Sequence, residues 1–416
     1  MPLGDYLEFA RANLRFLSFG FLVALTSSAG QTFFIGVFGP EVRAAFSLSH
    51  TEWGTIYMIG TLSSAAALTY TGGLIDRMDL RLFAGLAIAG LAGACLVMSL
   101  AQSVIALTVA IFLLRQMGQG LTSHTATTSM ARYHDAHRGK ALSLVSIGFT
   151  VGEALLPVLA VAAIAAWGWR ETYSFSALVV LCVIPVVLWL LRGHGQRHAA
   201  FLEAEVVAQS SSAELSGGKT RWEMLREGRF YMLLPAAVAP SFIVTAMFFH
   251  HLTLAEAKGW SAHWVTGSYW MFGAATVLAL LTAGPLIDRW SAARIMPFYL
   301  LPLAAGLIIL VPAENALWIL AYLFLGGLNS GLYFAGLTAL WAELYGVRHL
   351  GAIKSTVGAI SVFASALGPV TVGVMLDLGF SIETVCLSFA GYCLLATPLL
   401  IRALRRPSIA ADFPAR

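Results

Sequence analysis

Thr71-Gly72-Gly73-Leu74-Ile75-Asp76-Arg77-Met78-Asp79-Leu80-Arg81 returns in altered form as Ala283-Gly284-Pro285-Leu286-Ile287-Asp288-Arg289-Trp290-Ser291-Ala292-Ala293-Arg294. Each copy has a glycine, then Leu-Ile-Asp-Arg, then a second arginine a few places on. Asp288 follows Asp76 by 212 positions, about half of the 416-residue chain. Tyr57 and Tyr269, Tyr133 and Tyr345, Gly139 and Gly351, and Pro157 and Pro369 recur at the same interval. Landmarks that stay in register over the whole chain argue for a duplicated architecture.

The composition says what kind of unit was duplicated. Hydrophobic residues make up 58% of the chain, charged residues 11%, and mean hydropathy is +0.79. A soluble domain carries about 25% charged residues, so this much apolar surface points to an integral membrane protein. Cys95, Cys182, Cys386 and Cys393 all sit inside apolar stretches, and no Cys-His spacing accompanies them. Neither a disulfide framework nor a metal site is expected. The N-terminal MPLGDYLEFARANLR contains acids and no small-residue cleavage site, so no signal peptide is expected. No nucleophile-base set or phosphate-binding loop appears, so the sequence reads as neither an enzyme nor a cofactor carrier, and nucleic acid is not an expected partner.

A membrane-spanning helix needs roughly 20 mainly apolar residues. Twelve such stretches occur, at 14–38, 52–73, 82–101, 104–130, 141–166, 172–192, 229–252, 264–287, 295–313, 315–341, 352–375 and 382–404. They are long and lack period-two alternation, which favours helices over a barrel. With the N-terminus inside, 21 of the 25 Lys and Arg fall on that side, while Arg43, Arg170 and Lys258 fall outside and Arg115 lies within a helix. This bias places both termini in the cytoplasm. The one long polar stretch, 193–228, contains Ser210-Ser211-Ser212-Ala213-Glu214-Leu215-Ser216-Gly217-Gly218, a flexible linker composition. Arg221 to Arg229 is expected to form a short amphipathic surface helix. The chain therefore reads as an all-α membrane protein of twelve transmembrane helices in two six-helix bundles. Its domains are 1–192, a cytoplasmic linker 193–228, and 229–416 with a short tail. Six being even, the halves share one topology and are related by a pseudo-two-fold axis along the membrane normal.

Twelve helices, two like-oriented halves and a doubled Gly-x-x-x-Asp-Arg loop resemble the major facilitator superfamily of transporters over the whole chain. Gly72, Asp76 and Arg77 match that family's loop, Arg81 sits one place beyond the pattern, and Asp79 replaces a second glycine. Arg115-Gln116-Met117-Gly118-Gln119-Gly120 is similar to its arginine-bearing fourth-helix motif, and Gly168-Trp169-Arg170 to its signature before helix 6. Arg132-Tyr133-His134-Asp135-Ala136-His137-Arg138-Gly139-Lys140-Ala141-Leu142-Ser143 looks like the segment before helix 5 in the monocarboxylate and oxalate/formate branch. The acidic first-helix motif of monocarboxylate porters is absent, Ser27-Ser28-Ala29-Gly30-Gln31 standing there, and Leu156 precedes Pro157 where drug/proton antiporters have glycine. The resemblance implies a cavity lined by helices 1, 4, 7 and 10.

Arg115 lies about 11 residues into helix 4, near mid-membrane at about 1.5 Å of rise per residue. A charge there is costly and ordinarily faces a cavity or a partner. Gln119 and Thr122 share its face at α-helical spacing. Glu153 is the one carboxylate deep in a helix, either a partner for Arg115 through long rotamers or water, or a separately protonated group. Gln31, Tyr57, His250, Tyr269, Asn329 and Tyr333 complete the candidate substrate and coupling set, with interfacial aromatics as the plain alternative. Gly72, Asp76, Arg77, Arg81, Gly284, Asp288, Arg289 and Arg294 form a candidate cytoplasmic gate. Its carboxylates would pair with Arg77 or Arg289 or accept from a neighbouring helix N-terminus, and its glycines would allow close helix approach.

These residues point to a secondary transporter of a small organic solute working by alternating access between the two bundles. Arg115 with little acidic lining favours a monocarboxylate-like anion, with a proton as co-substrate in a symport. An exporter of drug-like or amphipathic compounds is the alternative reading, and a non-transporting sensor of the same fold is a third. The expected setting is the plasma (inner) membrane, multi-pass, as a monomer, with the lipid bilayer and the substrate as partners.

Overall fold

A computed structural model of the protein describes residues 3–134, 137–198, 201 and 218–405, with side chains from residue 8 onward. The polar stretch 210–217, the tail beyond residue 405, and Asp135 and Ala136 lie outside the described residues. All regular structure among the described residues is helical. Among the described residues ten helices are long and apolar enough to cross a membrane: Leu80–Leu100, Val104–Tyr133, Arg138–Trp167, Trp169–Leu190, Gly228–Phe249, Ala262–Trp290, Ala292–Leu310, Trp318–Tyr345, Leu350–Asp377 and Ile382–Leu404.

The first two expected spans depart from that standard. The stretch at 52–73 forms a helix, His50–Thr71, of 22 residues, but its His, Glu, Thr and Ser content makes it less apolar than the ten. The stretch at 14–38 is not one helix. It runs as Leu14–Thr26, tightens into a 3-10 turn at Ser27–Gly30, and restarts at Thr32–Val37. Gln31 between them is extended, with ψ 155°. Serines and a glycine in the middle of an apolar run lower helix propensity, and the packing described below gives the break its purpose.

Helix ends follow from local capping chemistry. Asp79 accepts from the Arg81 backbone N–H at 2.8 Å and caps Leu80–Leu100, while Ser103 and Ser381 cap Val104–Tyr133 and Ile382–Leu404 in the same way. The Arg170 guanidinium donates to the carbonyls of Ser99 at 2.8 Å and Ala101 at 2.6 Å, and stacks 4.2 Å from the Trp169 ring. Gly168-Trp169-Arg170 thus works as a C-terminal cap for the neighbouring Leu80–Leu100 helix, closing carbonyls that no helix bond can reach. Thr220 and Glu223 form a capping box on the short helix Arg221–Arg226, which stops three residues before the expected Arg229. Its Trp222 is exposed and its Met224 buried, an amphipathic pattern.

The chain divides into two compact units, residues 1–46 with 59–214, and residues 47–58 with 215–416. In the first, Trp169–Leu190 packs along Leu80–Leu100 and Leu14–Thr26 along Arg138–Trp167. In the second, Tyr269–Trp290 packs along Trp318–Tyr345 and Gly228–Phe249 along Leu350–Asp377. A Cβ on Gly331 would come 2.5 Å from the Thr276 carbonyl oxygen, so the Tyr269 and Trp318 helices meet backbone to backbone, as small residues permit between membrane helices. The start of the His50–Thr71 helix also belongs to this unit. Its first backbone N–H groups, on His50 and Thr51, donate to the Asp377 carboxylate at 3.1 and 2.7 Å. A Cβ on Gly373 would come 2.5 Å from the His50 carbonyl oxygen. Leu100, Ile105, Leu281 and Leu395 are among the most exposed side chains, as a lipid-facing surface requires.

Candidate functional site

The Val104–Tyr133 helix is α-helical to Leu114 and then widens into a π-helical segment, Arg115–Thr122. The Thr122 hydroxyl donates to the Met117 carbonyl, five residues back, at 2.6 Å. That spacing takes Thr122 off the face where α-helical periodicity put it with Arg115 and Gln119. The segment carries Gly118 and Gly120, which hold an α ladder weakly, and π turns occur frequently at functional sites. Opposite it lies the Ser27–Gly30 break. A Cβ on Gly118 would stand 2.6 Å from the Gly30 Cα, and one on Gly30 would stand 2.1 Å from the Leu114 carbonyl oxygen. Two interrupted helices therefore touch at their interruptions.

Arg115 sits at that crossing and is 4% exposed. Its guanidinium donates to the Gly30 carbonyl and to the Thr32 hydroxyl, both at 3.3 Å, so it holds the carbonyl left open by the break. Gln116, which the sequence analysis did not single out as a site, donates to the Thr71 hydroxyl at 2.8 Å and accepts from Ser64 at 3.1 Å. It ties the π segment to the His50–Thr71 helix. Among the described residues the buried Gln119 side-chain oxygen and Ser28 hydroxyl have no hydrogen-bond partner. Buried polar groups are ordinarily paired, and these two stand open beside a buried arginine. Glu153 follows Gly152, whose Cβ would meet Ser28 Oγ at 2.0 Å, so the acid stands close to the same break. Among the described residues Glu153 has no ion-pair partner, and the structure does not bridge it to Arg115. Gln31 occupies the extended residue of the break.

The candidates in the second unit fall into separate contacts. Tyr57 is fully buried with its ring 4.7 Å from Phe249. The His250 Nε2–H donates to the Pro369 carbonyl at 3.0 Å. Tyr269 hydrogen-bonds His251 Nδ1 at 2.9 Å, and Tyr322 meets His251 Nε2 at 3.3 Å. Asn329 donates to the Tyr299 carbonyl at 2.7 Å, and the Tyr333 and Ser241 hydroxyls lie 3.4 Å apart. Most of these groups join one helix to another within the unit. His251 and Tyr322 escaped the sequence reading, although His251 adjoins His250. A small apolar pocket lined by Leu233, Met296, Tyr299, Leu337 and Trp341 has room for about one water, too little for an organic solute.

The two loop copies differ. In the first, Gly72–Asp76 is a 3-10 turn. Asp76 pairs not with Arg77 but with Arg132, at the end of the Val104–Tyr133 helix, and Arg132 also donates to the Ile75 carbonyl at 3.3 Å. Arg81 is held by Asp79, Nε to Oδ1 3.2 Å, and that arginine keeps the Asp79 carboxyl below the usual carboxylate range. In the second copy, the helix runs on through Asp288 and Arg289 to Trp290. Asp288 is exposed, and Arg289 lies over the Trp290 ring at 5.4 Å. The next turn, which bears Arg294, is capped by Glu343, which accepts from the Ala292 and Ala293 N–H groups at 2.7 and 3.0 Å. The expected close helix approach at Gly72 and Gly284 is not seen. A Cβ at Gly284 meets nothing within 4 Å, and at Gly72 its nearest neighbour is 3.7 Å away.

The sequence profile of the Major Facilitator Superfamily matches residues 20–281 and 262–415. Among curated relatives, an uncharacterized MFS-type transporter, YcxA, of Bacillus subtilis (strain 168) is 24% identical over 355 residues, covering 81% of this chain and 82% of its own. The riboflavin transporter RibJ of Trypanosoma cruzi is 29% identical over 41% of this chain and 38% of its own. A gallate transporter of Pseudomonas putida is 24% identical over 43% and 39%. Among solved structures, a bacterial homolog of the human lysosomal transporter Spinster, inward-facing and occupied, superposes with a TM-score of 0.73 at 15% identity, covering 99% of both chains.

Proposed function

Since the chain belongs to the Major Facilitator Superfamily and so is a multi-pass membrane transporter of small molecules rather than an enzyme, we propose that its substrate is a small organic anion of the monocarboxylate class. It moves by alternating access between an N-terminal bundle, 1–192, and a C-terminal bundle, 229–416, of six helices each, joined by a cytoplasmic linker, 193–228. The two bundles are related by a pseudo-two-fold axis along the membrane normal. The protein works as a monomer in the plasma (inner) membrane with both termini in the cytoplasm, as the Lys and Arg distribution favours. A proton accompanies the anion, with Glu153 as its carrier.

The observation that carries this reading is the crossing of the broken 14–37 segment with the π turn of Val104–Tyr133. Transporter sites are commonly built where membrane helices are interrupted. Here the interruptions bring together the Arg115 guanidinium, a fork suited to carboxylates, the open Ser28 hydroxyl, which can donate to one, and the open Gln119 oxygen, which can accept only from a hydroxyl or other donor on the solute. The gallate-transporting relative handles a carboxylate, which accords with this class. The test is ligand-induced thermal stabilisation of the purified protein across a panel of monocarboxylates and aromatic acids. Stabilisation should weaken in Arg115→Lys and vanish in Arg115→Gln. Undiminished stabilisation in Arg115→Gln removes the arginine from recognition. It then shifts weight to export of amphipathic compounds, a reading that the aromatic character of Tyr57, Phe249, Tyr269 and Tyr333 favours.

A further inference from the structure

Four histidines gather at the end of the first unit that carries the N-terminus, away from the Arg115 crossing. Tyr133 closes the Val104–Tyr133 helix, with His134 directly after it and His137 at the start of Arg138–Trp167. After Trp169–Leu190 the chain turns through Gly193, with φ +78°, and residues 194–198 are helical. This segment folds back onto the same end. The His198 Nδ1 and the Tyr133 hydroxyl lie 3.0 Å apart. His194 sits edge-on to Tyr133 at 4.9 Å and parallel to Phe16 at 6.2 Å between ring centres. His134 packs on Phe9 at 5.3 Å and Phe16 at 5.6 Å, and His137 on Phe9 at 5.3 Å. The Arg197 guanidinium covers the Phe16 ring at 4.1 Å.

Two of these imidazoles are paired poorly for such burial. His194 is 2% exposed, and among the described residues its Nδ1 has no hydrogen-bond partner; neither has His134 Nε2. Among the described residues no group of His, Cys, Asp and Glu has the geometry to hold a metal ion. A purely structural aromatic cluster would be better served by phenylalanine, which leaves no open nitrogen.

We infer that this cluster is a proton-operated latch, which holds the segment 191–198 against the end of the first unit while its histidines are neutral and releases it when they are protonated. The latch is distinct from the substrate reading above.

The charged surroundings give the sign. His194 faces Asp79 and Arg81 from the N-terminal end of Leu80–Leu100, Tyr133 from Val104–Tyr133, and Arg197 and His198 from its own segment. His134 faces Arg197 and His137, and Arg15 lies near Arg197. Asp79 is the one acid among these groups, and it is bound to Arg81; Asp135 lies outside the described residues. Burial pulls His194 down to about 4 against the Asp79 carboxylate, with Arg197 and His198 adding to the fall, and burial lowers His134 as well. A histidine whose docked value lies below its free value of about 6.5 favours docking above that pH and opposes it below. For His194 alone, the docked population relative to the released one falls up to about 30-fold between pH 8 and pH 5.

The test is backbone hydrogen exchange across residues 191–198 in the full-length protein in nanodiscs, from pH 8 to pH 5, corrected for the intrinsic exchange rate. Neither flux nor membrane orientation enters the readout, so failure here leaves the transport reading untouched. The expected result is protection that falls by up to about 30-fold toward pH 5 in the natural protein and falls clearly less in His194→Phe, which keeps the ring and loses one proton site while His134, His137 and His198 remain. His194→Leu, with the same expected outcome, serves if the phenylalanine variant does not fold. Protection that is constant with pH in the natural protein, or a pH response as large in the His194 variants as in the natural protein, overturns the proposal.

Discussion

Replacing Gly118 by alanine tests the crossing on which the substrate site rests. The added Cβ would stand 2.6 Å from the Gly30 Cα, 2.8 Å from the Gly30 nitrogen and 3.1 Å from the Ser27 carbonyl oxygen. All three are backbone atoms, so no side chain can rotate away. Restoring an ordinary carbon contact of about 3.5–4.0 Å requires the two segments to part by about 1 Å. Arg115 already reaches the Gly30 carbonyl at 3.3 Å, and a shift of that size takes the bond out of range. Overpacking of this kind costs about 1–3 kcal/mol, or about 2–12 °C in Tm for a unit of roughly 200 residues. Gly284→Ala is the matched control, because nothing lies within 4 Å of its Cβ. That site is helical, so alanine there is neutral or stabilising by up to about 1 kcal/mol. Thermal unfolding of both variants in one detergent, followed by tryptophan fluorescence, gives the comparison. A Gly118→Ala protein as stable as the natural one, or an equal loss in Gly284→Ala, refutes the backbone-on-backbone crossing.

Asp76→Asn and Arg132→Gln, taken singly and together, should show coupling of about 0.2–1 kcal/mol in unfolding free energy, small because the Asp76 side chain is 60% exposed; strictly additive effects would dissolve the pair. Asp377→Ala removes the acceptor for the His50 and Thr51 N–H groups and should cost about 0.5–2 kcal/mol, with faster hydrogen exchange confined to the first turn of His50–Thr71; unchanged exchange there would count against the cap. Glu153→Gln in proteoliposomes should retain substrate exchange and lose accumulation driven by a pH gradient, and normal uphill accumulation would take Glu153 out of the coupling.

The sequence by itself determined the class and the family. Solvation of a 20-residue stretch is a sum over its own residues, so hydropathy needs no knowledge of neighbours. The spans at 82–101, 229–252 and 382–404 reappear close to their expected limits for that reason. The sequence also marked Arg115, because a charge in an apolar run is visible without a fold. It gave no sign that Arg115 opens a π turn, since an α and a π helix differ by which carbonyl each N–H finds. That choice depends on Gly30 pressing against Gly118 from 88 positions away. Nor could it name the partners that define the other contacts: Arg132 for Asp76 rather than Arg77, Tyr322 for His251, Asp377 for the start of the His50 helix. A hydrogen bond acts over about 3 Å, and one residue of helix rise or a small rotation about the axis exchanges one partner for another. Those contacts exist only once the helices have been packed, and so the tertiary structure alone decided them.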